Sequence, residues 1–313
     1  MRLAVAALAC LALVGARAAA APVVGGQTAS AGQWPDAVAV IGATGTCTGT
    51  LIAPDLVLTA GHCGDITPQQ VVANSTNYNV NGERRNVTAV YTYPNWSGTY
   101  DAAVLRLAAP YTAFSPRGIG VACTFDGIAD GTMVHLVGFG LTTTDATGTN
   151  TLLYEAVAPV TDPDCSGGDG CRASIAPGGE LVAGGGGIDT CNGDSGGPLY
   201  LDTPRGTFVV GVVSRGVSAS SEPCGDGGIY VRTDKLVSWI EQTTGEALAH
   251  DSCDGSTGSD DGSGSGSDRG GSSDDPPTAV GGCAASGGAT SLAWLVFPVI
   301  VLRSLLRRAR PLA

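Results

Sequence analysis

Between residues 23 and 246 the apolar positions fall into short β-branched runs cut apart by Gly, Pro, Asn and Asp. DAVAVIG (36–42), TGTLIAP (48–54), LVLTA (56–60), VTAVYTY (87–93), AAVLRL (102–107), MVHLVGFG (133–140), LLYEAVAPV (152–160), FVVGVVS (208–214) and GIYVRT (228–233) each have the length and make-up of a strand. Turn residues between them predict an antiparallel all-β body, either a barrel or a sandwich. A helical period follows at the end of the stretch, where Leu236, Val237 and Ile240 share a face beside Trp239 and Thr233 stands at the N-cap position. An all-β domain over residues 23–246, closed by a C-terminal helix, is therefore expected.

The flanks follow other rules. Residues 1–22 open with Met1-Arg2, continue as an apolar run from Leu3 to Val14 and end in Ala18 to Ala21 and Pro22. This is the layout of a signal peptide with a short propeptide, and the run is too short to span a bilayer. Residues 247–282 are dominated by Asp, Ser, Gly, Thr and Pro, a composition that buries no apolar surface and predicts a disordered linker. Residues 283–313 begin at Cys283, run through an apolar span to Leu302 and end with Arg303, Arg307, Arg308 and Arg310. A cysteine, a span long enough to cross a membrane and an arginine cluster together resemble the MYXO-CTERM sorting signals of bacterial surface proteins. The resemblance implies export, a C-terminal sorting and anchoring machinery as partner, and Cys283 as the anchor.

Composition removes several function classes. Charged residues make up 14% of the chain and Gly 48 of its 313 residues, which argues against coiled coils and charged helical bundles. Residues 23–250 hold nine basic and 21 acidic groups, Lys235 being the one lysine. Such a body has no basic face to neutralise phosphates, so nucleic acid is excluded as a partner. Of ten cysteines, Cys10 leaves with the signal and Cys283 belongs to the anchor; the remaining eight form an even set, expected as four disulfides in an exported protein. Without a C-x-x-C pair, and with three histidines in the chain, no metal site and no cofactor are called for.

Three segments carry chemistry. LTAGHC (58–63) puts His62 in a turn after an apolar strand, DAAVLRL (101–107) puts Asp101 at the start of another, and DTCNGDSGGP (189–198) puts Ser195 in a glycine-rich loop before a third. A serine hydroxyl becomes a competent nucleophile when an imidazole takes its proton, and a carboxylate can hold that imidazole in the required tautomer. GDSGG alone also fits the nucleophile elbow of α/β-hydrolases, but that fold needs an acid and then a histidine after the serine, and here only His250 follows, in linker-like sequence. His135, on an alternating strand, reads as a structural residue.

Together with Val23-Val24-Gly25-Gly26 and GFG (138–140), these segments resemble the trypsin-like serine peptidases in order and spacing. The resemblance implies two six-stranded antiparallel β-barrels and catalysis by His62, Asp101 and Ser195. It implies an oxyanion hole from the backbone N–H groups of Gly193 and Ser195. It also implies a primary substrate pocket with Asp189 at its floor and Ser214, Gly216 and Gly228 along its walls. The substrate is then a protein or peptide cut after Arg or Lys. Disulfides Cys47–Cys63 and Cys191–Cys224 are implied, and so is an activating ion pair between a freed Val23 ammonium and Asp194. A catalytically weak shell of the same fold, used for binding, is the alternative, although no triad member is lost.

Departures from the family pattern add expectations. Arg215 replaces the usual tryptophan between Ser214 and Gly216; a cation there predicts a preference for acidic or small residues just upstream of the cleaved bond. Val182 stands where many relatives carry a cysteine, so Cys165 is expected to pair with Cys171 and Cys123 with Cys253. The segment VVANSTNYNVNGERRN (71–86) offers only Glu83 where some relatives bind calcium. Pro22 precedes Val23, so tryptic self-activation is not expected.

Overall fold

A computed structural model describes residues 23–175 and 179–253. Residues 37–107 form a first barrel of six strands: β2 (Ala37–Gly42), β3 (Thr46–Ala53), β4 (Leu56–Thr59), β7 (Ala103–Leu107), β6 (Glu83–Thr92) and β5 (Pro68–Ala73), closed in that order by β2 pairing with β5. A second ring comprises β8 (Met133–Gly138), β9 (Tyr154–Asp162), β10 (Glu180–Ala183), β13 (Gly228–Arg232), β12 (Gly206–Gly216) and β11 (Pro198–Thr203). It closes because β8 pairs with both β9 and β11, and the two-residue β1 (Gln27–Thr28) adds to the side of β9. All pairings of named strands are antiparallel. The fold is all-β with two six-stranded barrels.

The reason these runs become strands is visible in their burial. Ala37 to Val40 are wholly buried, and Leu51, Leu58, Val104 and Leu105 face the same core. Val134, Leu136, Val160, Leu181 and Leu199 fill the second. Each of these valine and leucine side chains contributes about 1.5–3 kcal/mol of transfer free energy. β6 instead alternates half-buried and exposed positions along its whole length, as a strand with one solvated face should.

The barrels are joined by a buried polar knot. Trp34 stacks on Tyr200 with ring centroids 4.8 Å apart. The Tyr200 hydroxyl and the Arg117 guanidinium all donate to the carboxylate of Asp36, Arg117 through Nε at 2.9 Å and Nη2 at 2.6 Å. A carboxylate buried this completely is tolerable because each oxygen has donors.

The terminal helix forms, but not as expected at its start. Thr233 begins a 3-10 turn (Thr233–Lys235), and its hydroxyl donates to the carbonyl of Val209 rather than capping a helix. The α-helix α2 runs over Val237–Thr244, buries Ile240 and ends at Gly245 in the left-handed conformation. Residues 247–253, which composition placed in the linker, continue onto the body. Leu248 is buried, His250 bridges Ile119, and Asp251 accepts from Arg205 through Nε at 2.7 Å and Nη2 at 2.6 Å. Cys123–Cys253 then ties the end down. The other disulfides are Cys47–Cys63, Cys165–Cys171 and Cys191–Cys224. The expected signal segment, the rest of the linker, the apolar span and Cys283 lie outside the described residues.

Candidate active site

Strand register brings His62 and Asp101 together. β4 and β7 pair with Thr59 opposite Ala103, so continuing the register past the strand ends sets residues 61–62 against 100–101. His62 opens a short 3-10 turn pinned by the Cys47–Cys63 disulfide. Asp101 accepts from the His62 backbone N–H at 2.9 Å through Oδ1, lies 2.7 Å from the His62 Nδ1 through Oδ2, and accepts from the Ser214 hydroxyl at 2.8 Å. Burial pushes the Asp101 carboxyl up, but the His62 ring and backbone and the Ser214 hydroxyl outweigh it and hold the carboxyl below its ordinary value. It stays an anion, and an anion at Nδ1 fixes the ring proton there and leaves Nε2 free to accept one.

The second barrel supplies Ser195 from the loop before β11. Its carbonyl accepts from the backbone N–H of Thr48 at 2.9 Å and lies 3.5 Å from the Cys63 sulfur, beside His62 in the chain. Gly193 (φ 98°) and Gly196 (φ 79°) bend the loop through the left-handed region, and a Cβ on Gly196 would sit 2.0 Å from the Thr59 hydroxyl. Asp194 points inward, wholly buried, accepting from the N–H groups of Gly140 at 2.7 Å and Cys191 at 2.8 Å. Burial pushes its carboxyl up to about 7, an effect those two bonds only partly offset. Val23 is also buried, and Val24 forms an isolated antiparallel bridge with Asp189, so this segment lies alongside the stretch leading into the loop.

A cavity of about 260 Å³ opens next to Ser195, lined by Thr190, Cys191, Ser214, Gly216 and Cys224 among others. Asp189, just before Thr190, is 2% exposed and accepts from the N–H groups of Thr190, Gly225 and Gly227 at 2.7, 2.8 and 3.1 Å. Burial raises its carboxyl above the ordinary value against the pull of those bonds. A Cβ on Gly228 would meet the Thr190 hydroxyl at 2.9 Å, whereas at Gly216 the nearest atom would be 3.9 Å away. Gly228 permits close packing against Thr190, which lines the cavity, and Gly216 leaves open space along the lining.

A trypsin family model matches residues 23–240. The chain belongs to the trypsin family. It is 32% identical over 240 residues to chymotrypsin-like elastase family member 1 of Canis lupus familiaris, covering 70% of this chain and 91% of the relative. It is 30% identical over 233 residues to brachyurin of Leptuca pugilator, covering 71% and 99%. As a member of the trypsin family it is a serine endopeptidase, and protein or peptide substrates follow from that.

Within this trypsin-family scaffold two features escaped the sequence reading. Thr48 on β3 donates its hydroxyl to the Gly193 carbonyl at 2.8 Å and accepts from the Phe139 N–H at 3.1 Å, so a first-barrel side chain fixes the Gly193 carbonyl of the second. A threonine in a strand gives no sign of that in sequence. The second corrects the role expected of Arg215. Its guanidinium is not a free cation: Nη1 and Nη2 each lie 2.8 Å from an oxygen of buried Glu180, Nη2 also donates to the Gly170 carbonyl at 2.7 Å, and Nη1 to the Ser214 hydroxyl at 3.2 Å. Glu180 neutralises it, and the pair braces Ser214 instead of offering charge to a substrate.

Proposed function

We propose that His62, Asp101 and Ser195 form the catalytic triad and that the enzyme cuts after Arg or Lys. The observation that carries the reading is the double hold of Asp101 on His62, through the backbone N–H and Nδ1. With the ring so oriented, Nε2 takes the Ser195 proton as Oγ attacks the scissile carbonyl. The imidazolium is stabilised by Asp101 and hands the proton to the leaving amine, and water repeats the sequence on the acyl-enzyme. The N–H groups of Gly193 and Ser195 receive the oxyanion.

Asp189 supports specificity for a long cationic side chain. It is a buried carboxylate held by three backbone donors directly before Thr190, which lines the cavity beside Ser195, and a guanidinium or ammonium would supply it with a counter-charge. Asp194, buried and satisfied only by two N–H groups among its hydrogen bonds, is suited to receive the ammonium of a freed Val23. Four disulfides fit an oxidising compartment, and the flanking segments add export and surface anchoring through Cys283.

Peptide p-nitroanilides ending in Arg, Lys, Leu, Phe, Ala or Val test the reading. The wild type should favour Arg and Lys, and Ser195→Ala should lose on the order of 10⁶-fold in kcat. Preference for Ala or Leu would overturn the specificity, and full activity of Ser195→Ala would overturn the triad.

A further inference from the structure

Next to Asp101 lies a second recess of about 100 Å³ whose lining includes Trp96, Thr99, Asp101, Arg172, Ser214 and Arg215, the last two of which also line the primary cavity. The Trp96 ring stands 6.3 Å from the His62 ring, centroid to centroid. Two arginines therefore line a hollow next to the proposed triad, in a body where acids outnumber bases by 21 to nine. Their states differ. Arg215 is neutralised by Glu180, as described above.

Arg172 is exposed, and its backbone N–H donates to the same Glu180 carboxylate at 3.0 Å, which fixes the main chain but leaves the guanidinium without a hydrogen-bond partner among the described residues. Arg85, Arg106, Arg117, Arg205, Arg215, Arg232 and Lys235 each have a carboxylate partner. Of the two cations left, Arg84 donates to Gln70 and to the Tyr78 carbonyl. Arg172 alone among the nine combines an unpaired guanidinium with a position at the proposed cleft. The loop that carries it is braced: Cys165–Cys171 closes it, the Gly170 carbonyl accepts from Arg215, and the Asp169 carbonyl accepts from the Ser218 N–H at 2.8 Å.

We infer that Arg172 forms a selectivity subsite for an acidic side chain located within the first few residues upstream of the cleaved bond. The inference rests on the reading of Ser195 as nucleophile, which sends the upstream part of an extended substrate past Ser214. Successive side chains of that segment alternate sides, so those turned away from the primary cavity meet the Trp96 and Arg172 wall. A carboxylate there gains a charge-assisted bond to a guanidinium that has no other partner among the described residues to give up. Arg215 contributes by holding the Glu180 carboxylate, which would otherwise compete for Arg172.

The experiment crosses two variables in one peptide-amide panel. The residue at the cleaved bond is varied independently of Asp, Glu, Ala, Gln or Lys at each of the three positions before it, so failure of the Arg or Lys reading shows in the first variable and failure of this inference in the second. On whichever bond is cut best, the wild type should favour Asp or Glu over Gln by about tenfold in kcat/KM, with the preference shrinking in salt. Arg172→Gln should bring the acidic-to-neutral ratio close to one, Arg172→Lys should restore part of it, and Arg172→Glu should invert it toward Lys. An absent preference in the wild type, or one that survives in Arg172→Gln, overturns the inference. If turnover is undetectable, fluorescence anisotropy of the same labelled peptides on the Ser195→Ala protein reads the same ratios as affinities, with the same two outcomes deciding.

Discussion

The two barrels hold their share of the site by different means. The first delivers His62 and Asp101 through strand register: two paired strands end side by side, and three hydrogen-bonded groups follow from Thr59 lying opposite Ala103. The second delivers Ser195, Gly193 and the cavity proposed to take the substrate through loops, held by positive-φ glycines, a buried Asp194 and the Cys191–Cys224 bridge. Register is rigid and local, whereas a loop conformation is maintained by contacts from outside it. Damage to the first barrel's contribution should therefore strike the chemistry itself, and damage to the second should appear first as lost preorganisation.

Among the contacts that position the proposed triad, the largest effect is expected from Asp101→Asn. The amide keeps size and position but replaces one acceptor with an NH2 donor; with its oxygen accepting from the His62 N–H, the NH2 faces Nδ1, so the ring adopts the wrong tautomer. For the corresponding change in a well-studied triad the loss is on the order of 10⁴-fold in kcat, and a loss of that size is expected here with little change in Tm. Steady-state kinetics beside thermal unfolding checks it; a mere few-fold loss would mean that register alone orients the imidazole.

Asp194 sharpens the contrast from the loop side. Its folded pKa, pushed up to about 7, exceeds the ordinary 3.8, so the native state binds the extra proton and the unfolded state does not as pH rises between them. Stability of a chain in which Val23 is still amide-linked should fall from about pH 4 to pH 7, by up to about 4 kcal/mol, and level off above. Once Val23 carries a free ammonium beside the carboxylate, the slope should vanish. Denaturant titrations of Ser195→Ala protein with and without Ala21-Pro22, at pH 4, 5.5 and 7, measure both cases. Equal slopes would separate Val23 from Asp194.

What the sequence disclosed divides along the same line. Nine runs were readable as strands because β-branched residues and turn signals are local, yet β5, β10 and β11 were not. β5 and β11 open on Pro68 and Pro198, which strands accept at their first residue, and β10 is four residues long beside a glycine run. His62, Asp101, Ser195 and Asp189 were legible as members of short ordered segments. Thr48, Glu180 and Arg172 were not, since each acts through a partner 35 or more positions away or through the absence of one. The body also extends to Cys253, because Asp251 and Leu248 find partners that composition cannot reveal.

Thr48→Val tests the support that the first barrel lends to the second. Valine matches the shape but removes the donor to the Gly193 carbonyl and the acceptor for Phe139 N–H. A missing oxyanion donor costs about 10²–10³-fold, and loosening the carbonyl of the residue whose N–H is one such donor should cost less, about 10- to 100-fold in kcat with KM nearly unchanged. A rise in KM with kcat intact would assign Thr48 to substrate binding.

The smallest effect belongs to the reciprocal contact, in which Ser214 of the second barrel donates to Asp101 of the first. Ser214→Ala removes one of three donors to that carboxylate and leaves both bonds to His62, so tautomer and register persist. The expected loss is about fivefold in kcat/KM, the worth of roughly one net hydrogen bond. Acid sensitivity gives an independent reading. A carboxyl whose folded pKa lies below its unfolded value contributes stability that is present above that value and lost as pH falls through the folded one. With Ser214 gone the depression shrinks, so the variant should lose less stability between pH 4 and pH 3 than the wild type. A loss comparable to that of Asp101→Asn would instead show that His62 is oriented across the barrel interface, and the division drawn between register and loop would fall.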